Sequence, residues 1–385
     1  MVRVGLEVLR DENFRSLWGM RVGAVTNHTG RTKDGTHLLD LLRAHPKVRL
    51  EALFGPEHGI WGDRPAGEEV ESRLDPETGV KVWSLYGRTR KPTPDMLEGL
   101  DVLVFDVQDV GARFYTFLST MSLAMEAAFQ AGIPFFVLDR PNPITGTHIE
   151  GPVLRTRFSS FVGLHPIPIR HGMTLGELAL MIADRWLSVR GKLEVVRMEG
   201  WRRDMWWEET GWPWRNPSPN MPSPSAALCY PGTCLAEGTN LSEGRGTEEP
   251  FERIGAPWVR GSELAEELNA RGLDGIVFRP ISFVPEPLPS APNPKYKGVK
   301  CEGVLLAVTD KEAFQPVRTG VHILSAVGKL FPEFTFYDDR FDRLAGTEDL
   351  RRAIVDGRDP EDIVAGWEDE LEAFQDLRKE YLLYT

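Results

Sequence analysis

One short segment of this chain has the residue types and spacing of a proton-transfer site. In Gly55-Pro56-Glu57-His58-Gly59 a carboxyl and an imidazole are adjacent, with a proline before them and a glycine at either end. Proline stiffens one side of such a turn and glycine frees the other, so the turn can hold a carboxyl out of helix or sheet pairing and into a cleft. Partial burial there would raise the pKa of Glu57, as a general acid needs at neutral pH. The plainer alternative is a glutamate that braces a loop or caps a helix. Three more polar clusters stand in the first half: Thr26-Asn27-His28-Thr29-Gly30, the run from Asp106 through Gln108, Asp109 and Arg113 to Tyr115, and Asp139-Arg140-Pro141-Asn142-Pro143. The second half adds Tyr230-Pro231-Gly232-Thr233 and the run Glu237–Thr247, which holds Asn240 and Arg245. Glycines interleaved with Glu, Asn, Ser and Arg let backbone approach a ligand and aim side chains at hydroxyls. Next to the Trp-rich stretch before it, that run suits a sugar cleft, because aromatic faces pack on the C–H side of a pyranose. Most of the 11 tryptophans still read as packing.

Each cluster in the first half directly follows a short apolar run. Strands are expected over Met20–Val25, Val48–Phe54, Val80–Ser84, Val102–Val107, Pro134–Leu138 and Leu193–Arg197. Helical patterns lie between them at Thr36–Ala44, Tyr115–Gln130 and Thr174–Ser188, the last opening with Thr174 and Glu177 in capping-box spacing. Alternation of this kind predicts an α/β fold with a Rossmann-like parallel sheet, whose strand carboxyl ends share one edge, the usual ligand-binding edge. Asp and Asn after a strand also serve as plain helix caps or turns. The Trp- and Pro-rich segment from Trp201 to Pro224 reads as an irregular connector. We therefore divide the chain into 1–222, a catalytic domain, and 223–385, a smaller α+β domain that completes the cleft. In the latter, helices are expected at Gly261–Arg271, Thr319–Leu330, Thr347–Asp356 and Pro360–Lys379. Its strands are expected at Gly275–Arg279 and Lys300–Val308, with a loop over Pro280–Pro294.

Composition narrows the function. With 385 residues, 41% hydrophobic and 26% charged, the chain is globular and long enough for two domains. A net charge of −12 disfavours nucleic acid, which requires a basic field. Three cysteines give neither a disulfide framework nor zinc spacing. No metal is expected, since His28 and His58 lack a carboxylate partner at ligand spacing, and no cofactor, since no glycine loop has nucleotide spacing. A nucleophile elbow of the serine hydrolases is missing. No apolar run is long enough for a bilayer, and the N-terminus carries no apolar leader, so a cytoplasmic protein without membrane partners is expected.

Taken together, the motifs Gly55–Gly59, Asp106–Thr116 and Asp139–Pro143 resemble those of the exo-β-N-acetylmuramidases typified by NamZ. Glu150-Gly151-Pro152-Val153-Leu154, Asn240–Thr247, Pro250-Phe251-Glu252 and Gly255-Ala256-Pro257-Trp258 extend the resemblance over nearly the whole chain. The resemblance implies a Rossmann-like domain, a C-terminal auxiliary domain and a cleft between them. It implies removal of N-acetylmuramic acid (MurNAc) from the non-reducing end of peptidoglycan fragments such as the disaccharide with N-acetylglucosamine, MurNAc-GlcNAc. The family's glutamate maps onto Glu57. Relatives acting outside the cell carry a signal peptide, so the expectation here is recycling inside it.

Glycosidic cleavage needs a proton donor and a group that stabilises an oxocarbenium-like centre. Glu57 is the expected acid. Asp106, Asp109, Asp139 and Glu237 are candidates for the second role, Asp106 first because it ends a strand directly. Assistance by the substrate's own acetamido group is a third route. For the lactyl carboxylate of muramic acid the candidates are Arg113, Arg140, Arg170 and Arg245, since Arg binds carboxylates in bidentate fashion. Asn27, His58, Gln108, Tyr115, Asn142, Glu150, His171, Tyr230 and Asn240 complete the expected substrate contacts. Two other readings remain at this point: a muramyl-sugar-binding protein without turnover, and a hydrolase of another muramyl bond.

Overall fold

A computed structural model describes residues 1–62, 73–74 and 79–385. Seven strands form the larger sheet: β1 (Arg21–Thr26), β2 (Arg49–Gly55), β3 (Arg73–Leu74), β4 (Lys81–Ser84), β5 (Val102–Asp106), β6 (Phe135–Leu138) and β7 (Leu193–Val196). Their order is β3-β4-β2-β1-β5-β6-β7, and every neighbouring pair is parallel except β3 with β4. The expected strands are all present to within a residue or two.

β5 and β6 are buried along their whole length, which is why they read as unbroken apolar runs. Side chains alternate between faces. Val25, Phe54, Leu103, Phe105, Phe135 and Val137 pack on helices Thr116–Gln130 and Leu175–Arg185. Val22, Ala24, Leu53, Val104, Phe136 and Leu138 face the opposite way, towards helices Gly5–Asp11 and Leu38–Ala44. Trp201, Trp207 and Trp212 are buried in that second core, so the Trp-rich connector is packing material. The predicted capping box at Thr174 and Glu177 is formed.

The second sheet is antiparallel, in the order β8-β10-β9, from β8 (Arg253–Ala256), β9 (Ile276–Phe283) and β10 (Cys301–Val308). β9 runs past the expected Arg279 and through Pro280. A proline is tolerated there because β9 is an edge strand with one side free of ladder bonds. The expected helix Pro360–Lys379 is two, Pro360–Ala365 and Glu368–Lys379, with Trp367 buried at the break. One apolar core runs from the first sheet through helices Pro224–Thr233 and Pro316–Leu330 into this domain, so the two domains are not separately packed.

Leu383, Tyr384 and Thr385 pack back on the first domain. The Tyr384 hydroxyl donates to Asp139 Oδ2 at 2.6 Å, Leu383 N–H donates to Glu177 Oε1 at 2.9 Å, and the Thr385 carbonyl accepts from Arg203 N–H at 2.9 Å. The cysteines Cys229, Cys234 and Cys301 are buried free thiols. Among the described residues no helix is long and apolar enough to cross a membrane.

Candidate active site

The sheet order reverses at β1 and β5, whose carboxyl ends meet at the Thr26–Asp106 pair. In open α/β sheets a ligand crevice lies at such a point, but here protein fills it. Asp106 is fully buried and its carboxylate takes both prongs of the Arg140 guanidinium, at 2.5 and 3.0 Å. Arg140 also donates to the Arg31 carbonyl. Asn27 Oδ1 accepts from the Thr29 N–H and hydroxyl, and Thr29 in turn accepts from Gln108 N–H. Gly30 closes this plug: a Cβ there would lie 2.2 Å from Thr26 Oγ1, so only glycine fits.

The cleft lies to one side, between the domains, with a volume of about 460 Å³. From the first domain it is lined by Glu57, His58, Tyr86, Phe114, Tyr115, Thr116, Ser218 and Asn220. The second domain supplies Tyr230, Cys234, Glu237, Glu243, Arg245, Phe251, Lys295 and Arg340. The turn after β2 carries Glu57 into the wall: Gly59 N–H donates to the Pro56 carbonyl at 2.9 Å, and His58 adopts a left-handed φ of 70°. Non-glycine residues in that region store strain, which clusters at functional sites.

Glu57 is 8% exposed, and its Oε2 accepts from the Thr116 hydroxyl at 2.6 Å at the start of helix Thr116–Gln130. The Tyr86 hydroxyl is a second donor to Glu57. Its own pKa is pushed up to about 12 by burial and by the glutamate's charge, so the phenol keeps its proton. Burial likewise drives Tyr115 and Tyr230 well above their ordinary value. Tyr115 packs edge-on against Tyr230 at 5.8 Å, and Tyr230 against Phe251 at 4.7 Å, giving the cleft an aromatic lining of Tyr and Phe.

The second-domain wall is ionic. Arg245 Nη1 sits 2.6 Å from Glu237 and 3.0 Å from Glu243, and its guanidinium lies over Phe251. Lys295 donates to the carbonyls of Ala236, Thr239 and Leu241 at 2.7–2.8 Å and pairs with Glu243 at 3.3 Å. Burial pushes the Glu243 carboxyl up, but Lys295 and Arg245 outweigh it and hold it below its ordinary range. Burial pulls the Arg245 pKa down, and the charges of Glu237 and Glu243 more than reverse this.

Six of the residues expected from the sequence line this cleft: Glu57, His58, Tyr115, Tyr230, Glu237 and Arg245. The others are placed elsewhere, and their expected roles are revised. Asp106, Arg140, Asn27 and Gln108 form the plug, with Gln108 Nε2 donating to the Asp109 and Pro141 carbonyls. Asp109 accepts from Gly111 N–H, and burial pushes its carboxyl up to about 7. Asp139 is likewise pushed up by burial, to about 6, and anchors Gly176, Thr174 and Tyr384.

Arg113 is buried and gives its donors to the carbonyls of Pro152, Ile167 and Leu344, tying the two domains together. Arg170 pairs with Glu150, whose other oxygen accepts from Val317 N–H. His171 is buried, which lowers its pKa to about 3, and it accepts from Met173 N–H. Asn142 makes a local turn, accepting from Ile144 N–H and donating to the Met173 carbonyl. Asn240 joins the Glu333 carbonyl to Thr335 N–H. Tyr86, Thr116, Glu243, Lys295 and Arg340 line the cleft without having been singled out. The Glu237–Thr247 run held a signal for Glu243 and the Asp106–Thr116 motif one for Thr116, but nothing local marks Tyr86, Lys295 or Arg340.

Fold and cleft together define a two-domain α/β protein with a buried carboxyl and an ionic wall facing one another's domain across a ligand-sized cavity. Residues 22–225 match the family described as "Exo-beta-N-acetylmuramidase NamZ, N-terminal", and residues 228–384 match its C-terminal counterpart. The chain belongs to the NamZ exo-β-N-acetylmuramidase family. It is 48% identical over 385 residues to "Peptidoglycan beta-N-acetylmuramidase NamZ" of Bacillus subtilis (strain 168), covering 100% of this chain and 91% of that one. Two crystal structures of DUF1343 family proteins from Bacteroides fragilis share the fold. One superposes with a TM-score of 0.93 at 38% identity, the other with 0.83 at 34%, each covering 100% of this chain and 99% of its own.

Proposed function

We propose that this protein is a glycosidase that releases N-acetylmuramic acid from the non-reducing end of peptidoglycan fragments such as MurNAc-GlcNAc, in cell-wall turnover and recycling. The observation that carries the reading is Glu57: a buried carboxyl on the cleft wall, oriented by the Thr116 and Tyr86 hydroxyls in a turn with left-handed strain. Glu57 delivers the proton to the bridging oxygen as the bond to C1 breaks. The Tyr and Phe rings receive the apolar face of the sugar. With Asp106, Asp109 and Asp139 outside the cleft lining, the second carboxylate role passes to Glu237, held by Arg245.

A second role for Glu57 is favoured by one observation, that both hydroxyls donate to it, which also suits a carboxylate acting as nucleophile. The same variant distinguishes the two. Glu57→Gln is assayed on MurNAc-GlcNAc and on an aryl β-MurNAc glycoside whose phenol departs without protonation, with products read by mass. A proton donor predicts a loss of about 10²–10⁴-fold on the disaccharide and a far smaller loss on the aryl glycoside. Comparable losses on both would assign Glu57 the nucleophilic role. Full activity of the variant on MurNAc-GlcNAc would remove Glu57 from catalysis. A wild-type protein that binds the disaccharide without releasing MurNAc would overturn the glycosidase reading.

A further inference from the structure

The ionic wall of the cleft is unbalanced: Arg245, Lys295 and Arg340 face Glu237 and Glu243. Two of the three cations are spent. Arg245 is half-buried between both carboxylates. Lys295 has three N–H bonds, and three backbone carbonyls take them at 2.7–2.8 Å. Arg340 differs. It stands on helix Asp338–Ala345 with its side chain 60% exposed, and its one ion-pair partner among the described residues is Glu237, at a long 3.4 Å. A guanidinium has five N–H donors in a planar fork, so the described residues leave most of its capacity unused on the cavity wall. Glu237 does not depend on it, because Arg245 holds the same carboxylate at 2.6 Å.

We propose that Arg340 is the receptor for the substrate's carboxylate, the lactyl acid that distinguishes muramic acid from N-acetylglucosamine. This rests on the muramidase reading of the same cleft and adds the residue that selects for the acid. The incoming carboxylate takes the guanidinium fork in bidentate fashion and neutralises the odd charge of the wall. The four arginines suggested by the sequence are otherwise engaged: Arg113, Arg140 and Arg170 within the fold, Arg245 between its two glutamates. Among the described residues a further cation, Arg90, lies over the rings of Tyr86 and Phe161 at 4.8 and 4.2 Å and hydrogen-bonds Tyr86. It contacts Tyr86 but is outside the cleft lining, which makes it the control.

The test is calorimetric binding of three monosaccharides, N-acetylmuramic acid, its methyl ester and N-acetylglucosamine, to wild type, Arg340→Gln, Arg340→Lys and Arg90→Gln. Wild type is expected to hold the free acid about 10- to 100-fold more tightly than the ester, the range of a charge-assisted hydrogen-bonded pair. Arg340→Gln should lose that preference while binding the ester as wild type does, Arg340→Lys should keep part of it, and Arg90→Gln all of it. The proposal is overturned if Arg340→Gln still prefers the acid, if Arg90→Gln loses the preference instead, or if wild type shows none. Binding needs no turnover, so failure of the glycosidase reading, seen as absence of MurNAc release from MurNAc-GlcNAc, is recorded separately.

Discussion

Replacing Asp106 by asparagine tests whether this strand-end carboxylate is structural. The side chain is fully buried, Arg140 is 6% exposed, and the two are joined by two hydrogen bonds of 2.5 and 3.0 Å. Asparagine keeps one acceptor and turns an N–H₂ towards the guanidinium at the other position, leaving a buried cation without its counter-charge. Removing one partner of a buried ion pair costs about 3–5 kcal/mol. The retained acceptor, and the Arg31 carbonyl still bonded to Arg140 at 3.0 Å, place the expected cost near the lower end, about 3 kcal/mol. At roughly 2 °C per kcal/mol for a chain of this size, melting should fall by about 6 °C. The measurements are calorimetric melting, and MurNAc-GlcNAc hydrolysis at 25 °C, where the protein remains folded. Turnover should stay within about threefold of wild type, since Asp106 does not touch the cleft. The double variant Asp106→Asn/Arg140→Gln should lose less stability than the two single variants combined, because it removes the stranded charge. An Asp106→Asn protein with unchanged melting and a hundredfold loss of turnover would refute the argument and restore Asp106 as the second catalytic group.

Two further expectations concern groups outside the cleft. Burial raises the Asp109 carboxyl from its ordinary 3.8 to about 7, so the folded protein holds this proton more tightly than the unfolded chain. Its contribution is complete below about pH 3.8 and is lost as pH rises through 7. The stability of wild type relative to Asp109→Asn should therefore decline between those limits in chemical denaturation; an invariant difference would contradict it. The comparison with the variant is needed because His165 and His171, lowered by burial to about 4 and 3, act in the opposite direction. Arg113→Met should leave the carbonyls of Pro152, Ile167 and Leu344 without their donor and destabilise by about 3 kcal/mol or more, while the preference for muramic acid over its methyl ester stays as in wild type. A lost preference in a folded Arg113→Met protein would return this residue to the site.

The first domain was legible because its signals are local. Apolar runs of four to seven residues mark β1, β2 and β4 to β7, and Thr174 with Glu177 marks a helix start within three residues. Glu57 was legible for the same reason, since proline, histidine and two glycines constrain its turn within five positions. What local reading could not supply was which strand ends stay open. Asp106, Asp139 and Glu57 all lie just beyond or at the end of an apolar strand, yet Asp106 finds Arg140 thirty-four positions away and Asp139 finds Tyr384 two hundred and forty-five away. Those partners turn apparent site residues into structural ones. Arg340 shows the converse. Helix Asp338–Ala345 was not expected, because its charged sequence carries few apolar residues, and its arginine reaches the cleft only because that helix packs on the distant segment Cys234–Gly238 of the same domain.

The bond between Tyr384 and Asp139 has a consequence for the order in which this protein can be assembled. At a synthesis rate of about 5–20 residues per second, the 245 positions between donor and acceptor take on the order of 10–50 s to be made. Throughout that interval Asp139 lacks one of the donors that compensate its burial, and Glu177 and Arg203 wait for the same tail. The nascent first domain can pair its strands on emerging from the ribosome, but the pocket around Asp139 is sealed only once Leu383, Tyr384 and Thr385 have been made. Leu383, Tyr384 and Thr385 act as a latch that closes on a domain made half a minute earlier, and substitutions there would weigh on the first domain rather than on the second.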